Sequence, residues 1–274
     1  MRVPIVFASL LAFGCPRNHC PTMPHTDPER VMRMHRSLTR TVRALRAEAR
    51  VEQHGRQGRL RGTVLLFLER PDRVRFDAMT QLGPVAVLTT DGDTFQLLDH
   101  RNDAFLEGPA CPENVARFLA IHMSGADVAR FLVGDTPRLE TDQVSLACGE
   151  EGYTIELSHP DGRRQTLIYE VREGDEDVGP DQQHLRLRSS TMRHADGRTD
   201  WRATYDDYQV VRDPNDDEGR GVAFPFVVRF VDPDLDADTT VRIKDVDLLT
   251  EPPDGSVFRQ SVPPGMTPEH SACE

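Results

Sequence analysis

The chain has 274 residues, of which 45 are acidic and 33 basic, for a formal net charge of −12. Hydrophobic residues make up 38% of it, which is enough for a packed core and argues against general disorder. The acidic balance argues against a nucleic-acid-binding role, because phosphate contacts need a basic surface. Lys244 is the only lysine and lies in a strand-like context, so the Gly-Lys-Ser/Thr sequence of a P-loop nucleotidase is absent.

The N-terminus is typical of a secretory signal peptide. The run Val3–Phe13 is apolar but shorter than the roughly 20 residues that span a bilayer. It leads into Gly14-Cys15, which resembles a bacterial lipobox, although Ala12 stands where leucine is usual. We expect residues 1–14 to be a lipoprotein signal peptide and Cys15 to be the lipid (palmitate) attachment site. The alternative is an ordinary signal peptide that is cleaved near Gly14. Either interpretation places the mature chain outside the cytoplasm.

Four further cysteines predict two disulfides, because an oxidising compartment favours their pairing. Four cysteines allow three pairings. We favour Cys111–Cys148 within the domain and Cys20–Cys273 between the two tails. No Cys-x-x-Cys or Cys/His spacing occurs, so no metal site is predicted.

The order of apolar residues predicts one long helix followed by many strands. A capping box, Thr26 to Glu29, begins an amphipathic helix from about 27 to 45. The apolar period then changes to two, which is typical of antiparallel strands. A first group of strands is predicted at 46–54, 59–69, 73–80, 84–90 and 94–99. Two short helices follow, at 112–121 and 124–134. A second group of strands is predicted at 137–148, 152–158, 163–172, 184–193, 199–211, 222–232 and 238–250.

About eleven antiparallel strands with so few helices predict a mainly β fold of the α+β class. We expect an open half-barrel, in which one curved sheet wraps around lid helices. The predicted divisions after the signal peptide are a flexible tether (15–26), the half-barrel domain (27–262) and a flexible C-terminal tail (263–274). We expect a monomer.

No motif of an enzyme or cofactor site is present. Gly-x-Ser-x-Gly, His-Glu-x-x-His and Gly-x-Gly-x-x-Gly are all missing from the sequence. The acidic series from Asp232 to Asp238 has Ala237 where a calcium loop needs glycine, so we interpret it as a solvated turn. We therefore predict no catalytic residue, no metal and no cofactor.

An ordered series of motifs resembles the LolB family of outer-membrane lipoprotein receptors and LolB-like lipoproteins, over most of residues 27 to 266. The motifs are Leu66-Phe67-Leu68-Glu69-Arg70-Pro71, Gln81-Leu82-Gly83-Pro84, Asp91-Gly92-Asp93, Tyr205-Asp206-Asp207-Tyr208 and Val257-Phe258. The resemblance implies a LolA/LolB-type half-barrel whose apolar concave face holds acyl chains. It also implies a lipid-anchored protein of the outer membrane that faces the periplasm and receives cargo from a LolA-like chaperone.

Strand alternation and the resemblance together predict the residues of an acyl-chain cavity. They are Leu65, Phe67, Val74, Phe76, Val87, Phe95, Leu97, Phe118, Phe131, Trp201, Val228 and Phe230. Plain core packing is the alternative for each, because a filled core and an apolar cavity show the same pattern.

The loop containing Leu82 and Gly83 is predicted to contact the membrane. In LolB the leucine of the matching Pro-Leu-Gly loop is exposed and is needed to deliver cargo, and here Gln81 replaces that proline. The alternative is that Leu82 folds back onto the core, as apolar residues at turn tips usually do.

The function predicted from these features is that of an outer-membrane lipoprotein that binds acyl chains of lipoproteins or lipids and helps to insert them into the outer membrane. Its partners would be the membrane, the acyl chains and the periplasmic chaperone, and not nucleic acid. A structural or assembly lipoprotein of the envelope with a filled core is the alternative, and an envelope hydrolase comes third.

Overall fold

A computed structural model describes residues 20–55, 58–119, 121–214 and 221–273, with the backbone alone at 118 and 119. The predicted signal peptide and Cys15 lie outside these residues. The described residues form three α-helices and fourteen strands. The first half consists of α1 (Pro28–Thr39), β1 (Ala44–Gly55), β2 (Gly58–Glu69), β3 (Arg73–Thr80), β4 (Gly83–Thr90), β5 (Thr94–Asp99), β6 (Ala104–Pro109), α2 (Pro112–Leu119) and α3 (Gly125–Leu132). The second half consists of β7 (Gln143–Gly149), β8 (Gly152–Ser158), β9 (Arg164–Val171), β10 (Leu185–Arg193), β11 (Thr199–Val211), β12 (Val222–Asp232), β13 (Ala237–Leu248) and β14 (Glu269–His270).

All fourteen strands belong to one open sheet, in the order β14-β6-β5-β4-β3-β2-β1-β13-β12-β11-β10-β9-β8-β7. Neighbouring strands are antiparallel except for β14 and β6, which are parallel. The mainly β, open antiparallel architecture with few helices is therefore confirmed. Two of the strands, β6 and β14, were not predicted. The first is six residues long and ends in Gly-Pro, and the second has two residues in a proline-rich segment, so neither has a readable period.

The helices lie on one face of the sheet, and the sheet curves around them. Helix α3 contacts both β3 and β12, which are four places apart in the sheet, and α1 contacts both β12 and β7. A short helix can reach strands so far apart only when the sheet bends toward it. We call the face that the helices cover the concave face. In β2 the buried side chains Val64, Leu66 and Leu68 lie on it.

Helix α1 is shorter than predicted and fills the half of the sheet formed by β7 to β12. Its N-cap is Asp27, whose Oδ1 accepts from the Glu29 amide at 2.9 Å, rather than Thr26. The helix ends at Thr39, and the residues from Ala44 onward form β1. The apolar residues in that stretch fit the period of a helix, and they also fit the period of two that is typical of a strand. His35 packs edge-on against the Tyr169 ring, with 5.2 Å between ring centroids, so α1 is anchored in the core of this half.

The two disulfides are Cys20–Cys148 and Cys111–Cys273, so the pairing favoured from the sequence is wrong. Cys148 is on β7, at one edge of the sheet, whereas Cys111 directly follows β6, near the other edge. The expected Cys111–Cys148 bond would have had to join opposite edges. Each tail instead bonds to the edge beside which it lies.

Described residues of the two segments predicted to be flexible form hydrogen bonds with the sheet. In the expected tether, the His25 amide donates to the Tyr153 hydroxyl at 2.8 Å. In the expected tail, β14 pairs with β6, and the Ser271 amide donates to the Glu107 carbonyl at 2.8 Å. Gly108 permits this approach, because a Cβ there would lie 2.0 Å from the Ser271 carbonyl oxygen. None of the helices in the described parts of the chain has the length and hydrophobicity needed to cross a bilayer.

Candidate functional site: an apolar cavity under two helices

A cavity of about 320 Å³ lies between the concave face and the helices α2 and α3. Strands β1 to β5, β12 and β13 form its floor and walls. Most of the lining side chains are apolar, as in the pockets that bind small hydrophobic ligands. The apolar lining residues are Val51, Leu60, Gly62, Val64, Phe76, Ala78, Met79, Val85, Ala86, Ile121, Val128, Phe131, Leu132, Val228, Phe230 and Val241.

Small residues keep the cavity open. Gly62, Ala78 and Ala86 occupy the concave face of three neighbouring strands, and Ala78 is directly opposite Ala86 across the β3–β4 pair. Further along the same strands, larger residues such as Leu68 and Leu88 take the concave positions and are fully buried. Along these three strands the concave side chains become smaller toward the end that holds Gly62, Ala78 and Ala86. The space above the sheet is therefore closely packed at the other end and contains the cavity at this one.

A cluster of three aromatic rings borders the cavity, and two of them, Phe131 and Phe230, line it. Phe131 on α3 packs edge-on against Trp201 and Phe230, with centroids 5.2 and 5.5 Å away, and Trp201 stacks on Phe230 at 6.2 Å. Such pairs contribute about 0.5–1.5 kcal/mol beyond their buried area. The cluster therefore joins α3 to β11 and β12 beside the cavity. The Ser124 side chain positions α3 by capping it, since its Oγ accepts from the Asp127 amide at 3.2 Å.

The cavity opens at the end of the sheet that carries the β1–β2, β3–β4 and β5–β6 hairpins. Leu60, which lines the cavity, is 48% exposed there. Three exposed arginines, Arg61, Arg101 and Arg117, and the half-buried Asp99 lie on the lining at this end. The mouth is thus polar and the interior apolar, which suits an amphiphilic ligand.

The loop after β3 projects from this end. The Leu82 side chain is 100% exposed, so the alternative that it folds back onto the core is wrong. The Thr80 hydroxyl shapes the turn by donating to the Gly83 carbonyl at 2.9 Å and accepting from the Leu82 amide at 3.3 Å. Gly83 has a φ of 119°, a left-handed conformation that favours glycine. Thr80 and Val85, on either side of the loop, line the cavity, so Leu82 lies beside its mouth.

Four of the twelve side chains proposed for the cavity line it, namely Phe76, Phe131, Val228 and Phe230. Four others pack in the core without lining it: Val74, Phe95, Leu97 and Trp201. The Phe118 side chain lies outside the described residues.

The remaining three, Leu65, Phe67 and Val87, lie on the opposite, convex face. They alternate with Leu66 and Leu88, which point inward, and a shift of one residue moves a side chain to the other face. A C-terminal segment around residues 257–260 covers the convex face, where the Gln260 side chain donates to the Val87 carbonyl at 3.0 Å. Gly62, Ala78 and Ala86 were not predicted to line the cavity, because the run of small residues across three adjacent strands is recognisable only once the strand register is known.

An open, curved antiparallel sheet with an apolar cavity under short helices defines a LolA-like fold. Three solved structures support this description. A LolA superfamily protein of Nitrosomonas europaea is 10% identical, covers 86% of this chain and 99% of its own, and superposes with a TM-score of 0.50. A putative outer membrane lipoprotein-sorting protein domain of Vibrio parahaemolyticus is 9% identical, with 84% and 97% covered and a TM-score of 0.51. A DUF1329 family protein of Desulfovibrio piger is 10% identical, with 85% and 98% covered and a TM-score of 0.52.

The superpositions show a shared fold, but the sequence identities are only near 10%. The function must therefore be argued from the site and not from the fold. No protein-family model and no curated protein matches the sequence.

Proposed function

We propose that the protein binds acyl chains of lipoproteins or lipids in the cavity and helps to insert them into the outer membrane. The observation that carries the proposal is the apolar cavity itself, which small residues on three strands keep open. The other half of the concave face packs against α1, whose side chains Val31, Met32 and His35 are buried there. The similarity in fold to the putative outer membrane lipoprotein-sorting protein domain of Vibrio parahaemolyticus supports the same assignment.

The volume sets the scale of binding. An apolar cavity of about 150 Å³ accommodates a benzene ring. On that scale, 320 Å³ holds about twelve carbons. At about 0.8 kcal/mol for each buried methylene, a fully inserted chain gains up to about 10 kcal/mol. Release into a bilayer, which buries the chain at least as well, needs no nucleotide, since transfer follows the difference in burial between the two sites.

Anchoring through Cys15 would hold the cavity near the membrane. The protein would then face the periplasm and receive cargo from a LolA-like chaperone in a Gram-negative-type envelope. Two acyl chains on one cysteine anchor stably. Radiolabelled palmitate should enter the wild-type protein and not Cys15→Ala, and sucrose-gradient fractionation should find the wild type in the outer membrane. Failure of the label to enter the wild type would contradict acylation.

Leu82 would act as a local contact and not as an anchor. Burying one leucine gains only about 1.5–3 kcal/mol, much less than an acyl anchor gains. Its position beside the mouth supports a role in touching the bilayer, so that cargo crosses little water.

The direct test is whether lipid accompanies the protein. The Cys15→Ala chain is purified from cells without detergent and examined by native mass spectrometry. We expect an added mass that disappears after solvent extraction and is identified as an acyl lipid. A folded chain that carries no lipid and binds no fatty-acid probe would favour the structural lipoprotein with a filled core.

A further inference from the structure

The cavity mouth has the opposite charge to the chain as a whole. The chain carries a net charge of −12, yet the charged side chains that line the cavity are three arginines and one aspartate. Arg61 is already engaged, with its Nε 2.9 Å from a Glu52 carboxylate oxygen. Among the described residues, Arg101 and Arg117 form no ion pair. Two guanidinium groups at the mouth are therefore available to an anion.

The acidic side chain at the mouth forms no ion pair with these arginines. Asp99 accepts from the backbone amide of Arg101 at 2.9 Å and from the side-chain amide of Asn102 at 2.7 Å. Its carboxylate is thus used in shaping the β5–β6 hairpin. Arg117 Nε donates only one described bond, to Asn114 Oδ1 at 3.3 Å, and Asn114 is fully buried. This bond ties the base of the Arg117 head to α2 and leaves the terminal nitrogens for a ligand.

The size of the cavity limits the number of chains. About twelve carbons fill it on the scale given above, which is the length of one acyl chain. The N-terminus of a triacylated lipoprotein carries three chains and no anionic group next to them. A single chain with an anionic head instead matches both the volume and the two arginines, because guanidinium and carboxylate groups form paired, parallel hydrogen bonds.

We propose that the ligand of this cavity is a fatty acid of about twelve carbons, with its alkyl chain between the small residues of β2 to β4 and its carboxylate at Arg101 and Arg117. The inference rests on the proposed acyl-chain function and names the ligand class for it. An uncharged amphiphile of the same length fills the same space but leaves both arginines without a partner.

The test compares dodecanoate, kept below its critical micelle concentration, with dodecanol, kept below its solubility limit, on the Cys15→Ala full-length chain. Trp201 is the only tryptophan of the chain and packs against Phe131 and Phe230, which line the cavity, so its fluorescence reports a ligand that contacts these two rings. The variants are Arg101→Gln, Arg117→Gln and their combination. Arg202→Gln serves as the matched control, since Arg202 is an exposed arginine on β11 whose neighbours Trp201 and Ala203 point inward.

We expect dodecanoate to bind more tightly than dodecanol, and each substitution to weaken dodecanoate binding about fivefold, the upper end for an exposed ion pair. The double variant should lose the preference for the anion while dodecanol binding stays unchanged. High salt should reduce the preference in the wild type, because exposed charges are screened.

Equal binding of the two ligands by the wild type would overturn the anionic assignment while leaving the acyl-chain function intact. If the double variant still binds dodecanoate more tightly than dodecanol, these two arginines do not bind the carboxylate. The acyl-chain function would again remain intact. If a folded wild type binds neither ligand, the proposed function fails together with the inference.

Discussion

Replacing Ala86 by phenylalanine tests whether the cavity is the binding site. Ala86 lines the cavity on β4, directly opposite Ala78 on β3. A phenyl ring at this position extends from the concave face into the open space. We expect the variant to be at least as stable as the wild type, because the ring gains apolar burial without displacing a packed neighbour.

The expected loss of affinity follows from the volumes. A ring of benzene size accounts for about 150 Å³ of cavity, which is roughly half of the 320 Å³ available. About six of the twelve carbons of a bound chain are then excluded. At about 0.8 kcal/mol for each methylene, the loss is at most about 5 kcal/mol. Even a third of that loss weakens binding more than about tenfold, because each 1.4 kcal/mol is a factor of ten.

The assay is calorimetric titration of the variant and the wild type with dodecanoate, with thermal unfolding followed by circular dichroism. Ala147→Phe is the matched control, since Ala147 is exposed on the edge strand β7, far from the cavity. We expect the control to bind as the wild type does. If Ala86→Phe is folded and binds dodecanoate with wild-type affinity, the ligand does not occupy this cavity and the reasoning is refuted.

Three further predictions follow from other features of the structure. Leu82→Glu should leave folding and lipid binding unchanged but slow the release of lipid to liposomes at least tenfold. The control Val210→Glu, at an exposed position at the opposite end of the sheet, should release lipid as fast as the wild type. Equal release rates for the two variants would rule out the membrane contact. Burial lowers the pKa of His35, so the folded protein holds it neutral and stability falls as the pH drops below the ordinary value of about 6.5. Urea unfolding at pH 7.5 and 5.5 should therefore differ by up to about 1.4 kcal/mol more in the wild type than in His35→Gln, and an equal difference would contradict the assignment. Cys273→Ser removes a cross-link between residues 162 apart and should lower the free energy of unfolding by up to about 5 kcal/mol without moving the lipid affinity, measured by urea denaturation and titration.

Strand positions could be predicted from the sequence because the alternation of apolar and polar residues is a local property. The prediction of 73–80 matches β3, and the predictions of 199–211 and 222–232 match β11 and β12. The turns between them contain glycine, proline or aspartate, whose backbone preferences act within a few residues. These local signals also sufficed for the open antiparallel class of the fold, which follows from many short strands and few helices.

Longer-range features depended on tertiary structure. Leu66 and Leu88 point to the concave face, whereas Leu65 and Val87 point to the convex face. Pairing with neighbouring strands and the C-terminal segment that covers the convex face decide this orientation. The cysteine pairing depended on which sheet edge each tail approaches, and two-residue β14 exists only because β6 offers it an edge.

The cavity likewise arises from residues that are distant in the chain. Gly62, Ala78 and Ala86 each look ordinary in their own strand, and they leave a shared space only when three strands align them beneath α2 and α3. The same assembly brings Arg101, from a hairpin, and Arg117, from a helix, to one mouth. Local sequence thus determined where the strands run. The empty volume between sheet and helices was decided by the register and curvature of the sheet, because a void is a property of several surfaces at once.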